Sequence, residues 1–222
     1  MTEQGTALVA AGSHCQISAM EFLRKHNATV ANTVEEDCME STLVQVVRTH
    51  AMNTESCQQK AKASSGEGTA QNYTALWDVL AILQQMSPSA YKACQGEALK
   101  EALEKTDLSA VAVLLDSVKN VDELAGGPLA PILKNLWSSK TLTDDAFLDS
   151  VVLLHEHGMN LEPPKEAILP FVAGKCKVHM VKMLLDLGAS PEARFGRSNA
   201  SSKASRCQEP EKEAIQSELQ KH

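Results

Sequence analysis

Residues 178–193, with the sequence VHMVKMLLDLGASPEA, constrain the fold of this chain more than any other stretch. Apolar residues recur there at the spacing of an α-helix: Val178, Met180, Val181, Met183, Leu184 and Leu185. So little polar surface remains on this predicted helix that it has to be covered on more than one side. Gly188 follows where a left-handed residue suits a helix C-terminus, and Pro191 prevents the helix from resuming.

A second apolar segment lies just before this helix. It reads AILPFVA at residues 167–173 and is separated from the helix by the polar break GKCK. The two segments predict a helical hairpin followed by a glycine and a loop. This order resembles an ankyrin repeat, whose pattern is roughly TPLHxAAxxGHxxVVxLLLxxGADxN.

The same pattern recurs elsewhere in the chain. Residues 5–32 match it without a gap, with Asn27 at the glycine position, where asparagine tolerates the left-handed conformation best among non-glycine residues. Residues 97–121 also match without a gap, and Asp107 is predicted to cap their second helix. Val118 is at the glycine position there, and a β-branched residue resists that conformation, so we expect a different helix end.

We therefore predict an all-α chain, arranged as an ankyrin-type solenoid of about five stacked helix-turn-helix repeats over residues 1–196. The predicted repeats span residues 5–38, 39–95, 96–125, 126–164 and 165–196. Polar residues 51–72 and residues near 138–147 are predicted insertions. Residues 197–222 form either a C-terminal cap helix or a tail, and the sequence leaves both open.

Composition narrows the classes of partner. The net charge of −7 provides no overall field that would hold a phosphate backbone, so we expect no nucleic-acid partner. No apolar run approaches the roughly 20 residues that span a bilayer, and the first residues are not typical of a signal or transit peptide. Six irregularly spaced cysteines are expected to be reduced intracellular thiols. We expect an intracellular protein, in the cytoplasm, with the nucleus or an organelle complex as alternatives.

Catalytic motifs were sought without result. The chain has no glycine-rich phosphate loop, no GxSxG and no HExxH, so we expect neither an enzyme nor a cofactor. One group of residue types that ligate metals stands out: His155, His157, Cys176 and His179. A structural role is favoured for this group, and zinc binding is the minor alternative. Trp77 and Trp137 are predicted to be core or repeat-junction residues, and a role as binding anchors is the minor alternative.

The ankyrin resemblance implies a protein-binding surface, made of the loops that project between repeats and of the inner helices. The loop residues expected to contact a partner are Glu35, Glu36, Asp37, Lys92, Gln95, Asp122, Glu123, Glu162, Pro163, Lys165, Arg194 and Phe195. We expect a non-enzymatic scaffold, monomeric by itself, that serves as a subunit or assembly factor of a larger protein complex. The alternatives are a reversible regulator of an enzyme or cytoskeletal protein and, at lower weight, an enzyme or metal-binding protein.

Overall fold

The computed structural model describes residues 3–28, 38, 41–50, 72–116 and 118–222. Within these residues the regular structure is α-helical and includes no β-strand; two isolated bridges join Phe195 to Glu166 and to Ser198. The prediction of an all-α chain is confirmed for this part of the sequence. None of its helices is both long and apolar enough to cross a bilayer.

The chain divides into two compact units, Met1–Val118 and Lys119–His222. The helices of the first unit are α1 (Glu3–Ser13), α2 (Ile17–Lys25), α3 (42–50), α4 (Asn72–Met86), α5 (Pro88–Glu104) and α6 (Leu108–Leu115). Helices α1 and α2 pack as a hairpin, as do α5 and α6, while α4 packs against both α2 and α6. The helices of this unit thus pack in pairs, and α4 joins one pair to the next.

The second unit repeats this kind of packing. Its helices are α7 (Val121–Leu124), α8 (Ala130–Ser138), α9 (Asp144–Glu156), α10 (Ile168–Ala173), α11 (Val178–Asp186), α12 (Ala200–Ala204) and α13 (Glu211–Lys221). Hairpins form from α8 and α9, from α10 and α11, and from α12 and α13. Helix α10 also packs against α8 and α12, and α11 against α13. The apolar helix α11 is therefore covered on two sides, as its sequence predicts.

The turns inside these hairpins share one backbone device. Cys15 (φ 51°), Thr106 (φ 56°), Lys140 (φ 62°) and Cys176 (φ 60°) each adopt the left-handed conformation between the two helices of a pair. Each donates its N–H to a carbonyl three residues earlier, which satisfies a group that the helix end leaves unpaired. Asn27 (φ 55°) ends α2 in the same way, which confirms the prediction made for this residue.

Several helix starts follow directly from the sequence. The carboxylate of Asp107 accepts a hydrogen bond from the Ala110 N–H (3.1 Å), so the predicted cap of α6 is confirmed. Thr143 caps α9 by accepting from the Ala146 N–H (3.2 Å). The helical spacing of Leu76, Val79, Leu80 and Leu83 predicts that these four residues share one face of α4, and all four are buried.

Two polar pairs tie α3 to the hairpin of α5 and α6. Arg48 donates two hydrogen bonds to Glu101, at 2.8 and 3.0 Å. The hydrogen bond from Arg48 favours the ionised carboxylate and lowers the pKa of Glu101. His50 Nδ1 lies 2.7 Å from Asp107 Oδ2, and both side chains are buried. The first unit therefore contains a polar core contact as well as apolar packing.

The structure differs from the sequence expectations at several places. Helix α5 begins at Pro88, immediately after α4, so Lys92 and Gln95 lie within a helix and not on the expected loop. The expected insertion at 138–147 is a short turn followed by the first residues of α9. Residues 197–222 form α12 and α13, which pack on α10 and α11. The expected insertion at 51–72 lies outside the described residues, except that Asn72 begins α4.

Candidate functional site

Three loops of the second unit lie side by side, and together they form what we call the loop edge: residues 119–129, 157–167 and 187–199. The Val121 N–H donates to the His157 carbonyl (3.0 Å), which joins the first loop to the second. Two hydrogen bonds join the second loop to the third. The Ala167 N–H donates to the Arg194 carbonyl (3.2 Å), and the Gly196 N–H donates to the Lys165 carbonyl (2.8 Å). Backbone hydrogen bonds therefore fix the loops relative to one another.

The loop edge brings together the expected contact residues of this unit. They are Asp122, Glu123, Glu162, Pro163, Lys165, Arg194 and Phe195. Glu35, Glu36 and Asp37 lie outside the described residues. Lys92 is exposed on α5, whereas Gln95 is buried and donates its side-chain amide to the Leu114 carbonyl (2.6 Å). Gln95 therefore has a packing role within the first unit.

Two of the acidic residues are engaged in holding the loops together. Asp122 accepts from the Leu129 N–H with Oδ1 and from the Asn160 N–H with Oδ2, both at 2.8 Å. Glu162 accepts from the Ser190 N–H in the next loop. In each case a carboxylate of one loop receives a backbone donor of the following loop. These two acids support the surface, because their oxygens are already used as acceptors.

Among the expected contact residues, the charges that remain available are those of Glu123, Lys165 and Arg194, whose side chains are exposed. Pro163, by contrast, is buried, and Phe195 is half-buried. These contact residues thus present one acidic and two basic groups on a backbone that its own hydrogen bonds hold in place. Charges at the rim of an interface increase the rate of association with a partner more than they increase the affinity.

An aromatic and lysine cluster lies behind the loop edge. The Lys134 ammonium is buried, donates to the Glu166 carbonyl (2.7 Å) and to the Glu166 carboxylate, and lies 4.5 Å from the centre of the Phe195 ring. Phe195 packs on Phe171 with 5.6 Å between ring centres. Burial lowers the pKa of Lys134, and the Glu166 carboxylate only partly opposes that effect. Phe195 therefore anchors the loop edge to the core below it.

The ring cluster continues into the core of this unit. Trp137 stacks on Phe147 with 4.6 Å between ring centres, and its edge faces Phe171 at 5.6 Å. Its indole N–H donates to Asp144 (2.9 Å), which also pairs with Lys177 (2.7 Å). The Lys177 hydrogen bond lowers the pKa of Asp144. The prediction that Trp137 is a core residue is confirmed, since only 9% of it is exposed.

Trp77, by contrast, is not a core residue, since it is 49% exposed on α4. It lies about 100° around the helix axis from buried Leu76 and therefore at the edge of the buried face.

All five cysteines among the described residues are disulfide-bonded, contrary to the expectation of reduced thiols. Cys38 is bonded to Cys94 with 5.3 Å between Cα atoms, and Cys176 to Cys207 with 5.6 Å. Cys15 is also disulfide-bonded. The sequence reasoning failed here because irregular spacing says nothing about which cysteines the fold brings together.

The zinc alternative loses one of its ligands to these bonds. Cys176 is oxidised in the disulfide, and His155 Nδ1 lies 3.3 Å from the Met159 carbonyl. His179 is exposed on α11. In the part of the chain that the structure describes, no group of three or more His, Cys, Asp or Glu side chains could hold a metal ion.

One buried polar group contains the residue types of a catalytic triad. Ser109 and His50 both hydrogen-bond to the carboxylate of Asp107, on separate oxygens. In a serine hydrolase the histidine takes the proton of the serine, and the acid contacts only the histidine. Here the serine hydroxyl donates to the acid, so His50 does not activate it. The arrangement serves to cap α6 and to satisfy a buried histidine.

Comparison with protein-family models, with curated proteins and with solved structures finds no match to this chain.

Proposed function

We propose that this chain is a non-enzymatic scaffold that binds another protein through the loop edge of its second unit. The observation that carries the proposal is the way Asp122 and Glu162 are used. Both carboxylates accept backbone N–H groups of the following loop, so that the loops are held in fixed relative positions. A preorganised surface loses less conformational entropy on binding than three independent loops would.

The helix pairing supports an ankyrin-type array as the framework for this surface. Helices α8, α10 and α12 are the first members of three hairpins and pack on one another in that order, while α11 and α13 are second members that also pack together. Loops between such hairpins project from one edge, which is where ankyrin-type proteins hold their partners. The α12–α13 hairpin would then be an additional repeat beyond the five that the sequence predicts.

A charge-exchange variant tests the binding role of the loop edge. In E123K/K165E/R194E the three exposed charges of the expected contact residues are inverted, while the supporting residues Asp122 and Glu162 are kept. The matched control, D149K/K182E/R206E, makes the same change in formal charge at exposed positions away from the loops. Partners captured from native extract by the unmodified chain are identified by mass spectrometry and then quantified with both variants.

We expect the loop-edge variant to lose at least about tenfold in recovery of the specific partner, because like charges then face each other across the interface. The control variant should recover that partner as the unmodified chain does. Equal recovery with all three proteins would remove the loop edge as the binding surface. Equal loss in both variants would attribute binding to overall charge instead.

The stability of the complex distinguishes the two versions of this function. A subunit or assembly factor stays with its partner through size exclusion at high salt, since apolar anchors hold most of the affinity of a permanent complex. A reversible regulator of an enzyme or cytoskeletal protein dissociates under these conditions, because exposed charges are screened. We favour the subunit or assembly factor, as the loop edge is fixed by its own hydrogen bonds.

The disulfides change the expected place of action. The cytoplasmic expectation depended in part on reduced cysteines, and disulfides persist mainly in oxidising surroundings. We therefore propose an oxidising compartment or the cell exterior as the place where the scaffold works. Blocking free thiols at lysis and comparing peptide masses with and without reduction tests this. Recovery of Cys176 and Cys207 as fully alkylated, unlinked peptides from the native source would contradict it.

A further inference from the structure

A small cleft opens between α4, α5 and α6 in the first unit. Its space of ≈ 60 Å³ is bordered by two aromatic rings, those of Trp77 and Tyr91, and by the polar side chains of Gln84 and Asp116. By volume this space admits about four to six water-sized groups. Pockets for drug-sized ligands and cofactors are several times larger, at about 300–1,000 Å³. The cleft therefore fits the head group of a single side chain.

The aromatic part of the cleft is unusual in its exposure. Trp77 is 49% exposed, whereas Tyr91 is 9% exposed and so forms a fixed wall. Among the described residues, Phe22 is the other large apolar side chain with this degree of exposure. A tryptophan ring face attracts cations more strongly than the rings of tyrosine and phenylalanine, and the attraction grows when the cation is partly desolvated.

The charge of the cleft comes from one carboxylate. Asp116 is the acidic residue in the lining, which includes no lysine, arginine or histidine. None of the ion pairs between described residues involves Asp116. Burial, with a contribution from the charge of Asp116, raises the pKa of Tyr91 to about 12. The phenol stays neutral at physiological pH, and the cleft carries a single negative charge next to an open indole ring.

The lining is also rigid on the side opposite to Trp77. Gln95 is buried and its amide donates to the Leu114 carbonyl (2.6 Å), which fixes α5 against α6 near the end that carries Asp116. Asp116 is the C-cap residue of α6, where the backbone position is set by the helix. A ligand would therefore meet helices whose backbone already places the acid and the ring at the cleft.

We propose that this cleft binds an arginine side chain of a protein partner. A guanidinium group stacks on an aromatic face through its planar surface and donates hydrogen bonds to a carboxylate through its edge, so one group satisfies both Trp77 and Asp116. An ammonium group offers no flat face and is more strongly hydrated. The net charge of −7 favours the approach of a basic segment.

This site is independent of the loop edge, because all of its lining residues belong to the first unit. The two can therefore be tested apart. The loop-edge variant E123K/K165E/R194E should bind an arginine ligand as the unmodified chain does, even if that variant loses its protein partner.

The probe is the blocked tripeptide acetyl-Gly-Arg-Gly-amide, titrated into the isotope-labelled full chain and followed by NMR. The indole N–H signal of Trp77 is identified by its absence in W77F. We expect a saturable shift of this signal and of the amide signals of Leu114 and Asp116. The same peptide with citrulline, which keeps the shape and loses the charge, should bind at least about tenfold more weakly, as charge-assisted hydrogen bonds are lost.

Two matched pairs of variants locate the site. D116N removes the charge of the cleft, and D78N removes the same charge one residue from Trp77 but outside the lining. W77A removes the ring of the cleft, and F22A removes the other exposed ring. We expect D116N and W77A to weaken arginine binding at least about tenfold, while D78N and F22A leave it unchanged. Thermal unfolding shows whether each variant is folded.

Three results would overturn the proposal. The first is the absence of any saturable shift up to the solubility limit of the arginine peptide. The second is equal binding of the citrulline peptide or undiminished binding to D116N, since neither is compatible with recognition of charge. The third is equal or tighter binding of a lysine peptide, which would exclude the planar stacking that assigns the cleft to arginine.

Discussion

At the scale of single residues, the contact between His50 and Asp107 affects the first unit most directly. Asp107 receives His50 on one oxygen, and the Ser109 hydroxyl and the Ala110 N–H on the other. Its one carboxylate therefore caps the start of α6 and hydrogen-bonds a histidine that is only 3% exposed. Replacing such a group removes several contacts at once.

We expect D107A to destabilise the first unit by about 2–4 kcal/mol. Loss of a helix cap costs about 1 kcal/mol, and a buried donor left without its partner adds about 1–3 kcal/mol. The control is T143A, which removes the cap of α9 from an exposed threonine and should cost about 1 kcal/mol. Chemical denaturation followed by circular dichroism measures both. A smaller effect for D107A than for T143A would show that the buried pair contributes nothing beyond capping.

The same carboxylate predicts a dependence of stability on pH. Burial opposes the charge of Asp107, yet its hydrogen bonds outweigh burial and hold its pKa below the usual value of 3.8. Because the folded-state pKa is the lower one, the contribution of Asp107 is fully present above the unfolded-state pKa. It is lost as the pH falls through the folded-state pKa.

We therefore expect the difference in unfolding free energy between the unmodified chain and D107N to be large at pH 5 and to shrink as the pH is lowered below 3.8. Denaturation curves recorded at intervals from pH 5 to pH 2 measure this difference. A difference that stays constant over the whole range would mean that the charge of Asp107 is not what stabilises the fold.

At the scale of helices, local sequence patterns were sufficient to predict a buried helix face and the residues at helix ends, where packing and capping agree with those patterns. The spacing of Leu76, Val79, Leu80 and Leu83 predicts the buried face of α4, and these residues are buried. Asn27 and Asp107 could be placed at helix ends because their side chains suit those backbone positions. Such features depend on neighbours within a few residues in sequence.

Contacts between residues that are far apart in sequence could not be predicted from local patterns. The pairing of Cys176 with Cys207 depends on α12 returning to the turn between α10 and α11. The roles of Asp122 and Glu162 depend likewise on which loop lies beside which. None of these partners is adjacent in sequence.

The Cys176–Cys207 bond suggests a test at this same scale. It links the turn between α10 and α11 to the segment between α12 and α13, across a separation of 31 residues. Closing a loop of this length stabilises a fold by about 3–4 kcal/mol in the chain-entropy model. In C176S/C207S we expect the amide hydrogens of α12 and α13 to exchange at least about tenfold faster than in the unmodified chain, since the terminal hairpin then opens more often.

The control for this test is C38S/C94S, which removes one disulfide of the first unit. Hydrogen exchange resolved by peptide mass should leave α12 and α13 of that variant unchanged. Unchanged exchange in C176S/C207S would show instead that the packing of Ile215, Ala200 and Ala204, all fully buried, holds the hairpin without the bond.

At the scale of the whole molecule, the division into two units predicts that the second can fold alone. Residues 119–222 contain both cysteines of their disulfide, and all three loops of the loop edge belong to them. Hairpins that pack mainly on their neighbours do not require distant parts of the chain. We expect the fragment 119–222 to be helical by circular dichroism and to unfold in one cooperative transition.

A shorter fragment that ends at Asp186 is the matched control. It lacks α12 and α13, so the faces of α10 and α11 that these helices cover would be exposed to water, and we expect it not to unfold cooperatively. If the fragment 119–222 also fails to unfold cooperatively, the second unit needs the first for its stability. If it folds and retains the partner of the full chain, the second unit, which contains the whole loop edge, is sufficient for binding.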